Sequence, residues 1–177
     1  TGIVLGTKKL VETSVVLEVM TQMHGRHLGL VRSGRSRRMQ PVLQVGNSID
    51  VVWRARLETH LGTYSVEPRI SRAAKIMESG NALYALQTLA SHLRLLPERE
   101  QNSGLYEAAF VTLDLLGDVE IAGTLLVRFE MALLEALGFG IDLSACAATG
   151  ANDMLVCIST KTGRAVSDSA GEAWKDK

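Results

Sequence analysis

The sequence predicts an α+β protein: a small N-terminal β-barrel, then a helical domain, then a short β-hairpin tail. Two observations lead there. Apolar side chains recur with a period of two through the first seventy residues and with a helical period after about residue 80. The charge divides at the same place. Residues 1–72 carry eleven Lys or Arg against five acids, and residues 73–177 carry eight against fourteen, so a net charge of zero hides a surplus of six on each half.

The barrel follows from five short strand-like runs. Gly2-Ile3-Val4-Leu5-Gly6 is the first, and because the chain enters it directly from Thr1, further residues are expected to precede it. Ser14 to Met20 and Arg26 to Arg32 are the second and third. In Ile49 to Glu58, Ile49, Val51, Trp53, Ala55 and Leu57 fall on one face, and Asp50, Val52, Arg54, Arg56 and Glu58 on the other. Leu61 to Val66 is the fifth. His24-Gly25, Gly46-Asn47-Ser48 and His60 to Gly62 supply turns between them. Five such strands suit a small barrel, and the OB-fold is the commonest of these that binds nucleic acid.

Leu83, Leu86, Leu89, Leu93 and Leu96 then mark a helix over Asn81 to Leu96, ended by Pro97. Leu105 to Leu116 is a second helix with Ser103 as its N-cap. Val119 to Leu137 is a third, capped by Asp118 and closed by Gly138 and Gly140. In the tail, Met154 to Ser159 and Arg164 to Ser167 read as two strands. The expected division is a barrel at 1–70, a helical bundle at 71–143 and a hairpin at 144–177.

Arg32, Arg35, Arg37 and Arg38 lie within seven residues, with Ser and Gly between them, in what reads as a mobile polar loop. A lone run of charge is usually a solvated face. Here Arg54 and Arg56 project from a neighbouring strand, and Lys8 and Lys9 sit in another expected turn. A cationic surface of this kind can neutralise successive phosphates and release counterions. Aromatic residues are scarce in this half, and Trp53 alternates with apolar residues as a core side chain does, so backbone contacts are expected to dominate.

Other chemistries find little support. The phosphate-loop pattern and the Gly-x-Ser-x-Gly elbow are missing from the sequence. The four histidines read as surface or capping groups. With two cysteines no disulfide framework is expected, and a reducing cytoplasm is the default. Cys157, between Val156 and Ile158, reads as a small buried hydrophobe. No apolar run approaches the ~20 residues a membrane helix needs. An enzyme is not expected.

The order of several segments resembles the RecO family. His24-Gly25-Arg26, then Gly29 and the basic run Arg32 to Arg38, resembles its "HGR…G…RG.R" signature. Gln40-Pro41, Leu95 to Glu100, Arg128-Phe129-Glu130 and Leu137-Gly138-Phe139-Gly140 resemble later family segments. The resemblance implies an OB-fold, a helical domain and a small zinc-finger-like insertion. It implies a cytoplasmic, nucleoid-associated recombination mediator that binds single- and double-stranded DNA and anneals complementary strands. With RecR, such proteins help load RecA onto DNA coated by single-strand-binding protein, whose acidic tail they bind.

The DNA-binding candidates, which the charge pattern supports independently of the resemblance, are Lys8, Lys9, Arg26, Arg32, Arg35, Arg37, Arg38, Arg54 and Arg56. Zinc-bearing members carry two CxxC pairs. Here these positions read Cys146 with Thr149 and Ser167 with Ala170, so most metal ligands are missing and no zinc or other cofactor is expected. A further C-terminal segment is expected beyond Lys177. The rival expectation is an adaptor, with the barrel only a scaffold and the helical domain binding a partner peptide.

Overall fold

A computed structural model describes residues 1–10, 12–57 and 59–172. Glu58, expected at the end of the fourth strand, lies outside the described residues, as does the tail from 173 to 177. The chain divides into two compact units, Thr1–Phe129 and Glu130–Lys177.

The first unit begins with β1 (Gly2–Lys9), β2 (Val15–Thr21), β3 (Gly25–Val31), β4 (Ser48–Arg54) and β5 (Thr63–Ile70). They close into a barrel in the order β1-β2-β3-β5-β4, the OB-fold arrangement. β1 closes it by pairing with β2 along its whole length and with β4 at Gly2 and Ile3. Inward-facing Val4, Leu17, Val19, Val31, Ile49 and Tyr64 form the barrel core. Leu43, with Met39 and Val42, packs against that core from the β3–β4 connection. This connection was expected to be a mobile loop. It is instead an ordered series of turns, with Ser36 accepting from the Met39 and Gln40 amides and Met39 from the Leu43 amide.

Two expectations about strand ends need correction. Lys8 and Lys9 belong to β1, not to a turn, because their backbones stay paired with Val16 and Val15. β4 stops at Arg54, so Arg56 lies beyond the strand.

The helices are α1 (Ala73–Ile76), α2 (Gly80–Leu93), α3 (Ser103–Leu115) and α4 (Val119–Ala136), the last spanning the boundary between the units. The sequence pattern missed α1, which is started from the barrel. The Asn47 carboxamide oxygen accepts the Arg72 and Ala73 amides at 2.8 and 3.0 Å. α2 ends at Leu93, ahead of Pro97, and residues 94–96 form a turn. The α3 cap is Asn102, which accepts the Leu105 amide, and Ser103 is already helical. Asp118 caps α4 as expected, accepting the Glu120 amide.

Charged groups join these helices to the barrel. Arg72 is buried; it donates to Asp114 at 2.5 Å and to the Ser48 hydroxyl at 2.6 Å, and lies over the Phe110 ring. Glu18 divides its two oxygens between Arg26 of β3 and Arg94 at the end of α2, each at 2.8 Å. Arg94 also donates to the Leu5 carbonyl.

The barrel has a seam. β3 and β5 meet at a single parallel pair, Leu30 with Thr63, and β3 then parts from β5. Residues 98–99 come alongside the free stretch: Glu98 bridges Arg26 in parallel, and the Arg99 amide donates to the Arg26 carbonyl at 2.7 Å. Gly25 permits this approach. Its φ is +59°, and a Cβ there would overlap the Glu100 backbone.

The second unit contains β6 (Leu155–Ile158) paired antiparallel with β7 (Ala165–Ser167), followed by a single turn, α5 (Asp168–Gly171). Cys157 is exposed rather than buried, because a bulge between Leu155 and Cys157 shifts the register in a hairpin with little cover on its outer face. Cys146 is the buried cysteine.

Gly25→Ala is expected to destabilise the protein by about 1–3 kcal/mol from its left-handed backbone alone, with displacement of residues 98–100 adding to that. Chemical denaturation of the two proteins gives the difference.

Candidate nucleic-acid interface

The strand registers bring most of the candidate cations to one end of the barrel. Lys8 and Lys9, at the end of β1, pair with the start of β2. Val15, at that start, pairs with Val31 at the end of β3, immediately before Arg32. Leu30 pairs with Thr63 at the start of β5, and Thr63 pairs with Arg54 at the end of β4, immediately before Arg56. Three connections therefore emerge on one rim: residues 10–14, 32–47 and 55–62.

The first two connections are tied together. Ser14 Oγ donates to the Arg32 carbonyl at 2.9 Å, and the Arg35 amide donates to the Thr13 carbonyl at 3.2 Å. The Arg35 guanidinium donates to the Glu12 carbonyl at 2.6 Å. Gly34 fits because a Cβ there would run into Val15. The arginine-bearing turn is thus held by its backbone, the Ser14 hydroxyl and the Arg35 guanidinium, while the Arg32, Arg37 and Arg38 side chains stay exposed.

Lys8, Lys9, Arg32, Arg35, Arg37, Arg38, Arg54 and Arg56 are all exposed, and none is ion-paired among the described residues. Arg26 is placed otherwise. It lies near the opposite end of β3, half-buried, donating to Glu18 at 2.8 Å and to the Leu96 carbonyl at 2.9 Å. Its charge is consumed in holding the fold.

Sequence reasoning missed a second feature, a cleft of about 520 Å³ along the seam. His27, expected at the surface, is buried, because alternation along β3 turns it inward. Its Nδ1 lies 2.8 Å from the Tyr64 hydroxyl and 2.9 Å from the Leu28 carbonyl, and its ring meets Trp53 edge-on at 5.0 Å. Burial, and then the nearby Arg99 charge, lower the His27 pKa and keep the ring neutral. Burial likewise raises the Tyr64 pKa, keeping the phenol protonated. Trp53 packs against the core but remains partly open; its Nε1 donates to the Leu61 carbonyl at 2.9 Å, and Arg99 lies over its ring. The pairing of Arg99 with Trp53 joins residues far apart in sequence, and no local pattern announces it.

Residues 1–71 match the family model "Recombination protein O N terminal", and residues 77–177 match "Recombination protein O C terminal". The chain belongs to the RecO family. It is 58% identical to the DNA repair protein RecO of Mesorhizobium japonicum, over 99% of this chain and 70% of that protein. It is 60% identical to the DNA repair protein RecO of Methylorubrum extorquens, over 99% of this chain and 72% of the relative. A role in DNA repair follows from this membership. No helix among the described residues is long and apolar enough to cross a membrane.

The zinc-finger-like element that the RecO resemblance implies would fall on the segment carrying Cys146 and the β6–β7 hairpin, whose residues do not fit a zinc ion. Of the four ligand positions only Cys146 offers a thiol. Its Sγ accepts the Ser167 amide at 3.3 Å and the Ser167 hydroxyl at 3.4 Å, so hydrogen bonds occupy the sulfur. Among the described residues, no group of three or more His, Cys, Asp or Glu is placed to hold a metal.

The same bonds pull the Cys146 thiol down to about 6: the Ser167 hydroxyl first, then Thr149 and the Ser167 amide, against the opposing effect of burial. The folded value lies below the ordinary thiol value of about 8.5, so unfolding takes up a proton. Stability from this group is complete above the ordinary value and is lost as pH falls toward about 6. Denaturation of wild type and Cys146→Ala across that range is expected to show the dependence shrinking in the variant. Parallel pH curves for the two proteins would reject the thiolate.

Proposed function

We propose that the cationic rim is the DNA-binding surface of a non-enzymatic recombination mediator. The carrying observation is convergence: eight basic side chains from β1, the β3–β4 connection, the end of β4 and the β4–β5 connection share one end of a closed barrel, exposed and without ion-paired carboxylates among the described residues. Side chains so placed suit a phosphate backbone and carry little base preference. Both single strands and duplexes then bind. Two complementary strands held on cations repel each other less, which favours annealing without covalent chemistry.

Family membership supports the rest of this reading. The protein works in the bacterial cytoplasm at the nucleoid. With RecR it helps load RecA on DNA coated by single-strand-binding protein, and it uses no metal cofactor. An adaptor role has one observation of its own. A groove of about 430 Å³, lined by Leu5, Val45, Met77, Leu83, Leu86 and Arg94, lies between β1 and α2. A peptide with apolar side chains, such as the tail of single-strand-binding protein, suits its aliphatic walls.

Salt titration tests the rim. Log affinity for a single strand is expected to fall with log salt by about 0.7 per neutralised phosphate. Replacing Arg32, Arg37 and Arg38 together with Ala is expected to reduce that slope by about 2, with stability unchanged within about 0.5 kcal/mol because these side chains are exposed. Full affinity and slope in the triple variant would remove the rim from DNA binding. Binding of the tail peptide without DNA binding would favour the adaptor.

A further inference from the structure

The seam cleft differs in chemistry from the rim. Its walls are rings and branched side chains: Trp53, Tyr64, His27, Val51 and Val52. Its permanent cation, Arg99, is shared with Glu98 at 3.7 Å and with the His60 carbonyl at 3.1 Å. A phosphate entering here would shed water against apolar walls and meet one guanidinium that is already engaged. A flat, neutral, polar-edged ring suits the cleft better. It can stack on the exposed part of Trp53 and meet polar groups at Arg99 and His24 along the cleft.

The backbone is fitted around these walls. A Cβ on Gly29 would overlap the Tyr64 ring, and one on Gly62 would overlap the Trp53 indole. Gly62 also has φ +65°, which favours glycine at that turn. The cleft adjoins the rim through the β4–β5 connection. Leu61 accepts from Trp53, His60 accepts from Arg99, and Arg56 lies a few residues earlier on the same connection.

We infer that the seam cleft is a subsite for one unstacked nucleobase of a single strand whose phosphates lie along the rim. The inference rests on the rim being the DNA surface and adds a preference that phosphate contacts do not supply. A duplex keeps its bases paired and stacked and cannot use the cleft. A single strand can turn one base into it.

The test compares the full chain's affinity for an oligothymidylate with that for an abasic strand of equal length, at one salt concentration. The oligothymidylate is expected to bind about tenfold more tightly, in keeping with one stacked base. Trp53→Ala is expected to bring the ratio close to one, while unchanged duplex affinity reports that the barrel still folds. A strand carrying bromouracil, irradiated on the unaltered protein, needs no variant. Crosslinks in the peptides holding His24 or Trp53 support the subsite, and crosslinks confined to residues 32–38 overturn it. A folded Trp53→Ala that retains the wild-type ratio also overturns it. Equal affinity for both strands with a steep salt slope rejects the cleft and leaves the rim standing. Failure to bind either strand rejects both.

Discussion

Everything in the first unit depends on how the sheet closes. β1 pairs with β2 and β4, which fixes the register of every other strand, and the chain has little freedom left over which ends meet. A slip of one residue would turn Val4, Leu17, Val19 and Ile49 outward, at a cost of roughly 1.5–3 kcal/mol for each large apolar side chain exposed. Hydrophobic alternation thereby decides a question of charge. Once the core residues face inward, Lys9, Arg32 and Arg54 have no option but to emerge at the same end. Closure is also incomplete in a useful place, where β3 and β5 part after one pair and residues 98–99 come alongside.

Two groups of arginines in the first unit have opposite surroundings, and proximity to carboxylates and helices separates them. Arg26, Arg72 and Arg94 sit where the barrel meets the helices, and each has a carboxylate partner. Arg72 is the buried one of the three, and leaving its guanidinium without a carboxylate would be costly, so its pair with Asp114 specifies the docking geometry as much as it stabilises it. The rim arginines have solvent instead. In high dielectric each interacts weakly with a passing charge, and only their number gives a strong field. Of the eleven Lys and Arg in residues 1–72, Arg26, Arg69 and Arg72 pair with Glu18, Asp50 and Asp114, and the other eight are the rim cations.

Much of the barrel was legible because it is locally encoded. The alternation from Ile49 to Trp53 and the turn glycines at 25, 46 and 62 report strand and turn directly. What escaped the sequence is non-local. Asn47 starts a helix twenty-five residues away, and Arg99 covers an indole that precedes it by nearly fifty. His27 looks like a turn residue until the register of β3 against β2 shows which way it points. Local competition explains the cap at α3: Asn102 and Ser103 both have capping side chains, and the non-helical backbone needed at the cap falls on Asn102. Cys157 misled because alternation in an isolated two-stranded hairpin does not say that anything covers the outer face.

Rim and seam divide the problem that a strand-handling protein faces. Contacts to phosphates are indifferent to sequence and are released by competing cations, so DNA held by exposed guanidinium groups can move or be handed on. Such contacts barely distinguish a single strand from a duplex. Discrimination requires something that only an unpaired strand exposes, and a base face is that feature. In the reading proposed above, an aromatic wall placed next to the cations, rather than among them, supplies it, and the one guanidinium it contains, Arg99, is already shared with Glu98 and the His60 carbonyl. The seam can perform this only because the sheet does not zip completely between β3 and β5. The same interrupted pairing that leaves an edge to be covered by residues 98–99 also leaves Trp53 partly open, and barrel closure and strand selectivity draw on one structural compromise.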